Sequence, residues 1–377
     1  MKFVDEYRNT KVVEQLANAL SNQLTKNWVI MEICGGQTNA FLRFGLDQFL
    51  QGKIELIHGP GCPVCVTAVD TIDKILYLAM QPDIILCTFG DMMRVPGSRY
   101  DLWTVKASGA DIRVIYAPMD ALAIARQNPD KKIILFAIGF ETTAPATALS
   151  IIVAKKEKIK NFFILSAHVK VPAALKHILN SPGHRLQGIL AAGHVCTVMG
   201  YQEYKPIASK YGIPITVTGF EPFDLLYGIY RCVYQLENGM CEVENNYSRV
   251  VKEEGNHAAR QLIEEVYVTI PQRWRGIGEI PDSGLDLSKE YSDFDAKKHF
   301  KLESIQTSNQ LPQLATDSIC IAGAILQGIQ KPFQCPAFAK ECTPDHPLGA
   351  PMVSSEGACA AYYRYRKSQN FELTGKG

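Results

Sequence analysis

Cys62 and Cys65 form a C-x-x-C at the predicted start of a helix, where the helix macrodipole favours a thiolate at the first sulfur. This pair is typical of a redox dithiol that forms a disulfide reversibly. Half of a zinc site is the alternative interpretation, but zinc sites usually add a second C-x-x-C or paired histidines, and the neighbouring sequence has neither. The spacing therefore favours redox chemistry at Cys62 and Cys65.

Cys34 is a second candidate, because it directly follows a predicted buried strand and precedes two glycines, Gly35 and Gly36. A lone cysteine after a strand is most often a small buried hydrophobic residue. The two glycines argue against that interpretation, since they expose the backbone instead of packing it. If Cys34 faces Cys62 and Cys65 across a crevice, three sulfurs could hold or transfer a soft metal ion.

Four further cysteines lie in a proline-rich C-terminal segment. Four thiolates are the usual ligand set of an iron–sulfur cluster or of a structural zinc site. The loose spacing leaves both alternatives open, while the proline turns beside the cysteines favour the cluster. The four residues are Cys320, Cys335, Cys342 and Cys359.

Other polar residues end predicted strands, and each also has a structural interpretation. His168 and His194 are candidate proton carriers because imidazole titrates near neutral pH, and His194 is the preferred catalytic candidate. Asp91 and Glu141 could bind a substrate, although helix capping is the simpler role. Cys196 could line the site, but we expect it to pack in the core.

Short apolar runs alternate with helical segments between residue 26 and about residue 235. Such uniformly apolar runs predict parallel strands buried under helices, and the loops after such strands line the binding crevice. We therefore predict an α/β fold with two tandem, similar parallel-sheet domains and a mostly helical C-terminal iron–sulfur cluster domain. A closed eight-stranded barrel is the competing arrangement.

The predicted organisation has four parts. The N-terminal part is an amphipathic helix that we expect to pack on the C-terminal domain. The parts are an N-terminal helix over residues 1–25, α/β domain I over 26–129, α/β domain II over 130–238 and the cluster domain over 239–377.

Charge and hydropathy exclude several classes of partner. The 377 residues include 39 Lys and Arg against 38 Asp and Glu, so there is no electrostatic reason to expect nucleic acid or a membrane. The N-terminus does not read as a signal peptide, and we expect a cytoplasmic protein. Eleven cysteines in that reducing compartment are better read as metal ligands or redox groups than as structural disulfides.

Four segments together resemble the HypD family of NiFe-hydrogenase maturation factors over essentially the whole chain. They are EICGGQT at 32–38, HGPGCPVC at 58–65, GFETT at 139–143 and MVSSEGAC at 352–359. The resemblance implies two α/β domains and a cluster domain, which favours the tandem arrangement over the barrel. It also implies a redox-active assembly factor rather than a free-standing metabolic enzyme.

The resemblance further implies roles for the cysteines. With a HypC-family chaperone, the protein would hold an iron at Cys34 while the cargo group Fe(CN)2CO is built. Cys62 and Cys65 would exchange electrons. A 4Fe-4S cluster would be held by the four C-terminal cysteines. Cyanide would come from a HypE-family donor, and the finished group would go to the NiFe-hydrogenase large subunit.

Two rival functions remain open at this point. One is an iron–sulfur-dependent protein disulfide reductase in which Cys34 has no role. The other is a non-redox binding module stabilised by zinc in the C-terminal segment. Metal content separates them, because only the assembly factor needs iron beyond the cluster.

Overall fold

The computed structural model describes residues 2, 4–50, 52–304 and 319–366, which form eleven strands and their connecting helices. The strands are β1 (Trp28–Glu32), β2 (Ile54–His58), β3 (Ile84–Thr88), β4 (Ile112–Val114), β5 (Lys132–Gly139), β6 (Phe162–Val169), β7 (Gly188–Ala192), β8 (Ile215–Thr218), β9 (Val243–Asn245), β10 (Tyr267–Trp274) and β11 (Gly278–Leu287).

The helices alternate with these strands through most of the chain. None of the described helices has the length and apolar character that crossing a membrane requires. They are α1 (Thr10–Gln23), α2 (Gly35–Arg43), α3 (Asp47–Leu50), α4 (Pro63–Val66), α5 (Val69–Ala79), α6 (Leu102–Ala107), α7 (Pro118–Gln127), α8 (Ala144–Lys156), α9 (Val171–Asn180), α10 (Gly193–Met199), α11 (Lys205–Tyr211), α12 (Pro222–Glu237), α13 (His257–Val266), α14 (Ala296–His299), α15 (Ala322–Leu326) and α16 (Ala358–Arg366).

The strands form two sheets, and parallel pairing dominates both. The first sheet has the order β2-β1-β7-β8-β9 and is parallel throughout. The second has the order β10-β11-β6-β5-β3-β4, in which β3 to β6 are parallel and the hairpin β10–β11 is antiparallel. The predicted α/β class with two parallel-sheet units is therefore confirmed, and the described strands form two sheets instead of one closed barrel.

The two sheets interleave along the chain. Strands β1 and β2 open the first sheet, β3 to β6 build the second, and β7 returns to pair with β1. A boundary near residue 130 would separate β3 from β5, which are paired neighbours in one sheet. Each unit is thus assembled from separate stretches of sequence and not from one contiguous half.

Burial explains why the strands read as continuous apolar runs. Every residue of β3 and of β6 is buried, because helices cover both faces of each sheet. A strand that is buried on both faces cannot alternate between polar and apolar side chains. The local sequence of such a strand therefore predicts that it is a strand but does not identify the strand with which it pairs.

Helix α1 packs on α12, whereas we had expected it to pack on the C-terminal domain. Its buried residues Val13, Ala17 and Leu20 lie on one face and join a core that includes Leu225 and Ile229 of α12. The spacing correctly predicts an amphipathic helix. It cannot identify the apolar surface that the helix covers.

The C-terminal region is not confirmed as a mostly helical domain. Strand β9 extends the first sheet, and the hairpin β10–β11 extends the second. Pro271 is compatible with strand β10 because the pairing with β11 is irregular between Ile270 and Gln272, and proline within a sheet occurs at such irregularities. Only short helices follow, and residues 305–318 and 367–377 of the predicted domain lie outside the described residues.

Candidate redox and metal site

A small cavity of about 160 Å³ brings the four motifs of the sequence together. It lies beyond the carboxyl ends of β1, β2, β5 and β7, so loops from both sheets contribute to it. Parallel sheets place binding crevices at this edge. The lining includes Cys34, Gly61, Pro63, Phe140, Thr142, Thr143, His194 and Glu356.

Cys34 is the N-terminal cap of α2, and the neighbouring loop holds its backbone. The amide of Cys34 donates to Oε2 of Glu32 at 3.3 Å, and the amide of Gly35 donates to the carbonyl of Gly61 at 2.9 Å. A Cβ atom on Gly61 would collide with the backbone of Cys34. Only glycine at position 61 therefore lets the two loops approach this closely.

The thiol of Cys34 is buried at the wall of the cavity. Burial, together with the nearby carboxylate of Glu356, raises its pKa to about 12. Asp91 lies close enough to raise the pKa of Glu356, which burial already raises. A soft metal cation would reverse the effect on Cys34, because a coordinating thiol is deprotonated. The position suits a metal ligand better than a freely reactive thiolate.

Cys62 and Cys65 form a disulfide in the structure. Cys62 caps α4, and its sulfur accepts a hydrogen bond from the amide of Cys65 at 3.2 Å. Both residues are buried, and Gly61 and Pro63 beside Cys62 line the cavity that holds Cys34. The predicted redox-active thiols are therefore compatible with the structure, and their loop borders the same cavity as Cys34.

The four C-terminal cysteines lie in one region. Cys335, Cys342 and Cys359 belong to a single buried cluster, and a Cβ atom on Gly349 would collide with the sulfur of Cys320. Burial raises the pKa of Cys359, and the other three thiols raise it further, so the four are within electrostatic reach of one another. Among the described residues, no group of three or more His, Cys, Asp or Glu side chains is arranged to hold a metal ion.

His194 reaches the cavity, whereas three other polar candidates do not line it. His194 stacks on Phe220 with ring centroids 3.9 Å apart, and partial burial lowers its pKa. His168 is buried in β6. Glu141 is buried and accepts a hydrogen bond from the amide of Val171 at 3.1 Å. Cys196 is fully buried in the core, as its packing interpretation expects.

A buried polar network beside Cys34 was missed by the sequence interpretation. His58 contacts Oε1 of Glu32 through Nδ1 at 2.5 Å and the hydroxyl of Tyr362 through Nε2 at 3.0 Å. Burial raises the pKa of Glu32 and lowers that of His58. The available signal was a glutamate that ends the otherwise apolar run of β1.

Comparison with known proteins identifies the family. The HypD family model, described as "Hydrogenase formation hypA family", matches residues 9–366. The hydrogenase maturation factor HypD of Rhodobacter capsulatus is 44% identical over 97% of this chain and 98% of its own length. Its counterpart in Escherichia coli (strain K12) is 44% identical over 98% of this chain and its full length. The hydrogenase expression/formation protein HupD of Azotobacter chroococcum mcd 1 is 42% identical over 98% of both chains.

These matches cover the loops that form the cavity as well as both sheets. The chain therefore belongs to the HypD family of hydrogenase maturation factors.

Proposed function

We propose that this chain is the scaffold on which an iron, shared with a HypC-family chaperone, acquires two cyanides and one carbon monoxide. The resulting Fe(CN)2CO group is destined for the large subunit of NiFe-hydrogenase. One observation carries the proposal: Cys34 lines the same small cavity as the loop that bears the Cys62–Cys65 disulfide. The thiol proposed to bind the metal would thus lie beside a cysteine pair that, once reduced to the dithiol, can supply two electrons.

Cys34 would be the iron-facing thiolate, and the chaperone would supply a second cysteine. Iron is the cargo in this scheme, so the site must both bind it and release it. A single buried thiol from this chain suits that task, because two partners can share the remaining coordination positions. His194 at the rim of the cavity would be a proton carrier.

Cys62 and Cys65 would provide the electron pair for cyanide delivery. If a HypE-family partner carries cyanide as a thiocyanate, the S–C bond of that thiocyanate must break before the cyanide can be delivered. In the reduced state, the dithiol and the thiocyanate would give a disulfide, the partner's free thiol and one equivalent of hydrogen cyanide. The two protons come from the dithiol, and the cyanide is captured by the iron at Cys34. Such a step would leave Cys62 and Cys65 as a disulfide, which is the oxidation state they have in the structure.

The four C-terminal cysteines would hold a 4Fe-4S cluster. Four thiols in one electrostatically coupled, largely buried region are the donor set that such a cluster requires. When bound, the cluster would supply single electrons. Helix α4 with the disulfide contacts the turn Ala350–Met352, which belongs to the same C-terminal segment as Cys359.

Infrared spectroscopy of the anaerobic complex with the small chaperone tests the proposal. We expect cyanide and carbonyl stretches from the complex and their loss in Cys62→Ala or Cys65→Ala, while the visible absorbance of the cluster remains. Cys241→Ala is the matched control, because Cys241 is only partly buried and has no role in the proposal. Diatomic-ligand bands that persist in both dithiol variants would refute the electron-pair role.

A disulfide reductase is the second candidate, since the structure has a disulfide beside a cavity. Iron analysis separates the two functions. A reductase needs the cluster iron alone, whereas the scaffold purified with its chaperone carries additional iron. Zinc without iron would contradict both functions.

A further inference from the structure

A second cavity, of about 360 Å³, lies beside the buried polar network of Glu32, His58 and Tyr362. Among the described residues, it shares no lining residue with the cavity at Cys34. Much of its wall is apolar, and a few polar side chains complete the wall, as is common in sites for small molecules. The apolar lining includes Trp28, Phe41, Leu42 and Ile54.

Lys331 places a cation at this cavity, and the turn that follows it fixes its position. The side chain of Gln334 accepts a hydrogen bond from the amide of Lys331 at 2.6 Å. The ring of Phe333 packs on that of Tyr362 with centroids 6.1 Å apart, which holds the turn against α16. The ammonium of Lys331 donates to the carbonyl of Leu56 in β2. The lysine side chain therefore joins the turn to β2 at the wall of the cavity.

The ammonium of Lys331 uses only part of its hydrogen-bonding capacity. It has three donors, and within the part of the chain that the structure describes its acceptor is the carbonyl of Leu56 alone. Burial lowers the pKa of Lys331 to about 8, so the side chain is still mostly protonated at neutral pH. A largely buried cation with spare donors is stabilised by an anion that accepts from them.

The two carboxylates that line the cavity are each paired with an arginine. Glu55 accepts two hydrogen bonds from Arg185, and Asp47 accepts two from Arg366. Neither carboxylate forms an ion pair with Lys331. The positive charge of Lys331 is therefore not matched by a direct partner at the cavity wall.

The remaining titratable groups nearby leave this charge in place. Burial raises the pKa of Glu32 and lowers that of His58, which favours the neutral form of each. Lys53 lies exposed at the edge of the cavity, where water screens its charge. A singly charged anion would be matched by Lys331, whereas a dianion would bring in a charge that one buried ammonium does not compensate.

We propose that this cavity binds a small organic acid, with its carboxylate on Lys331 and its hydrocarbon body against Trp28, Phe41 and Ile54. The apolar wall favours such an acid over an inorganic anion, because the hydrocarbon body gains free energy on leaving water. The inference goes beyond the proposed function and does not depend on it. The cavity involves neither Cys34 nor the C-terminal cysteines.

Ligand-observed saturation-transfer NMR tests the site with benzoate and benzamide, which have nearly the same shape but differ in charge. We expect benzoate to bind the full-length protein about tenfold more tightly, because benzoate alone forms a charge-assisted ion pair with Lys331. Lys331→Met keeps most of the side chain and removes the charge, so the affinity for benzoate should fall about tenfold, to that for benzamide. Lys340→Met is the matched control, since it removes an exposed lysine from the same segment and should leave both affinities unchanged.

Reductive methylation of the unmodified protein, followed by peptide mapping, gives a second measurement that needs no variant. Benzoate should protect Lys331 from the reagent and should not protect Lys340. The unfolding midpoint of each variant shows whether it is folded. If Lys331→Met does not fold, the methylation result decides, and equal labelling of Lys331 with and without benzoate would overturn the inference.

Three further results would overturn it. The first is equal binding of benzoate and benzamide to the unmodified protein, or binding of neither. The second is an undiminished affinity for benzoate in folded Lys331→Met. The third is an equal loss in Lys340→Met, since benzoate would then respond to the net charge and not to this cavity. Each of these results leaves the proposed iron scaffold untouched, because that function is tested at other residues.

Discussion

The imidazole of His58 lies 3.0 Å from the hydroxyl of Tyr362, and this contact joins strand β2 to helix α16. The other imidazole nitrogen contacts Glu32. The second carboxylate oxygen of Glu32 accepts a hydrogen bond from the amide of Cys34. Helix α16 also carries Cys359. A continuous chain of buried polar groups thus connects the two ends of the candidate site.

Tyr362→Phe should destabilise the protein by roughly 1–3 kcal/mol, because it leaves a buried nitrogen of His58 without its partner. Chemical denaturation monitored by tryptophan fluorescence measures the change. Tyr365→Phe is the control on the same helix, since its hydroxyl makes no hydrogen bond within the described residues. Equal stability of the two variants would show that the His58 contact contributes little.

Gly61→Ala should destabilise the protein by about 1–3 kcal/mol, because the added methyl group must displace the backbone of Cys34. The same displacement should change the rate at which Cys34 reacts with a thiol reagent in the native protein. Gly90→Ala is the control, since its Cβ would have only an ordinary contact with Val114. Matching unfolding curves and labelling rates for Gly61→Ala and the parent would contradict the tight loop contact.

Glu141→Gln should make the protein more stable at high pH relative to the parent. Burial raises the pKa of Glu141 to about 7, so the unfolded chain releases this proton first as pH rises from about 4.5. The free energy of unfolding of the parent therefore falls by up to roughly 3 kcal/mol between about pH 4.5 and 7, because the folded state must keep or lose this proton at a cost. The free energy of unfolding of the variant has no such contribution. Denaturation at pH 5 and pH 8 measures the difference, with exposed Glu14→Gln as the control. A difference that does not grow with pH would refute the raised pKa.

His168→Gln should show the opposite pH dependence. Burial lowers the pKa of His168 to about 4, and neither ring nitrogen has a hydrogen-bond partner within the described residues. The unfolded chain binds this proton first as pH falls below about 6.5. The free energy of unfolding of the parent therefore falls by up to roughly 3 kcal/mol between about pH 6.5 and pH 4. The variant should therefore gain stability relative to the parent toward acid pH, while exposed His257→Gln should not. A constant difference from pH 7 to 4 would contradict this assignment.

The sequence by itself determined which motifs line the cavity and where each of them stands relative to the strands. Cys34 directly follows an apolar run, Cys62 and Cys65 belong to the loop and helix start after the next run, and parallel strands bring such loops to one edge of a sheet. The α/β class followed from the same runs. These features depend on neighbours in the chain, because strand length, turn glycines and helix starts are local properties.

Only the tertiary structure decided which strands are neighbours and which surfaces meet. Ile30 of β1 pairs with Gly188 of β7, and α1 covers α12, although neither the apolar run of β1 nor the apolar face of α1 identifies its partner. The approach of Glu32 to His58 was likewise invisible in the sequence. Pairing over such distances in sequence is selected by the free energy of the whole packed core. A local pattern indicates which face of an element is buried, but it does not indicate which other element covers that face.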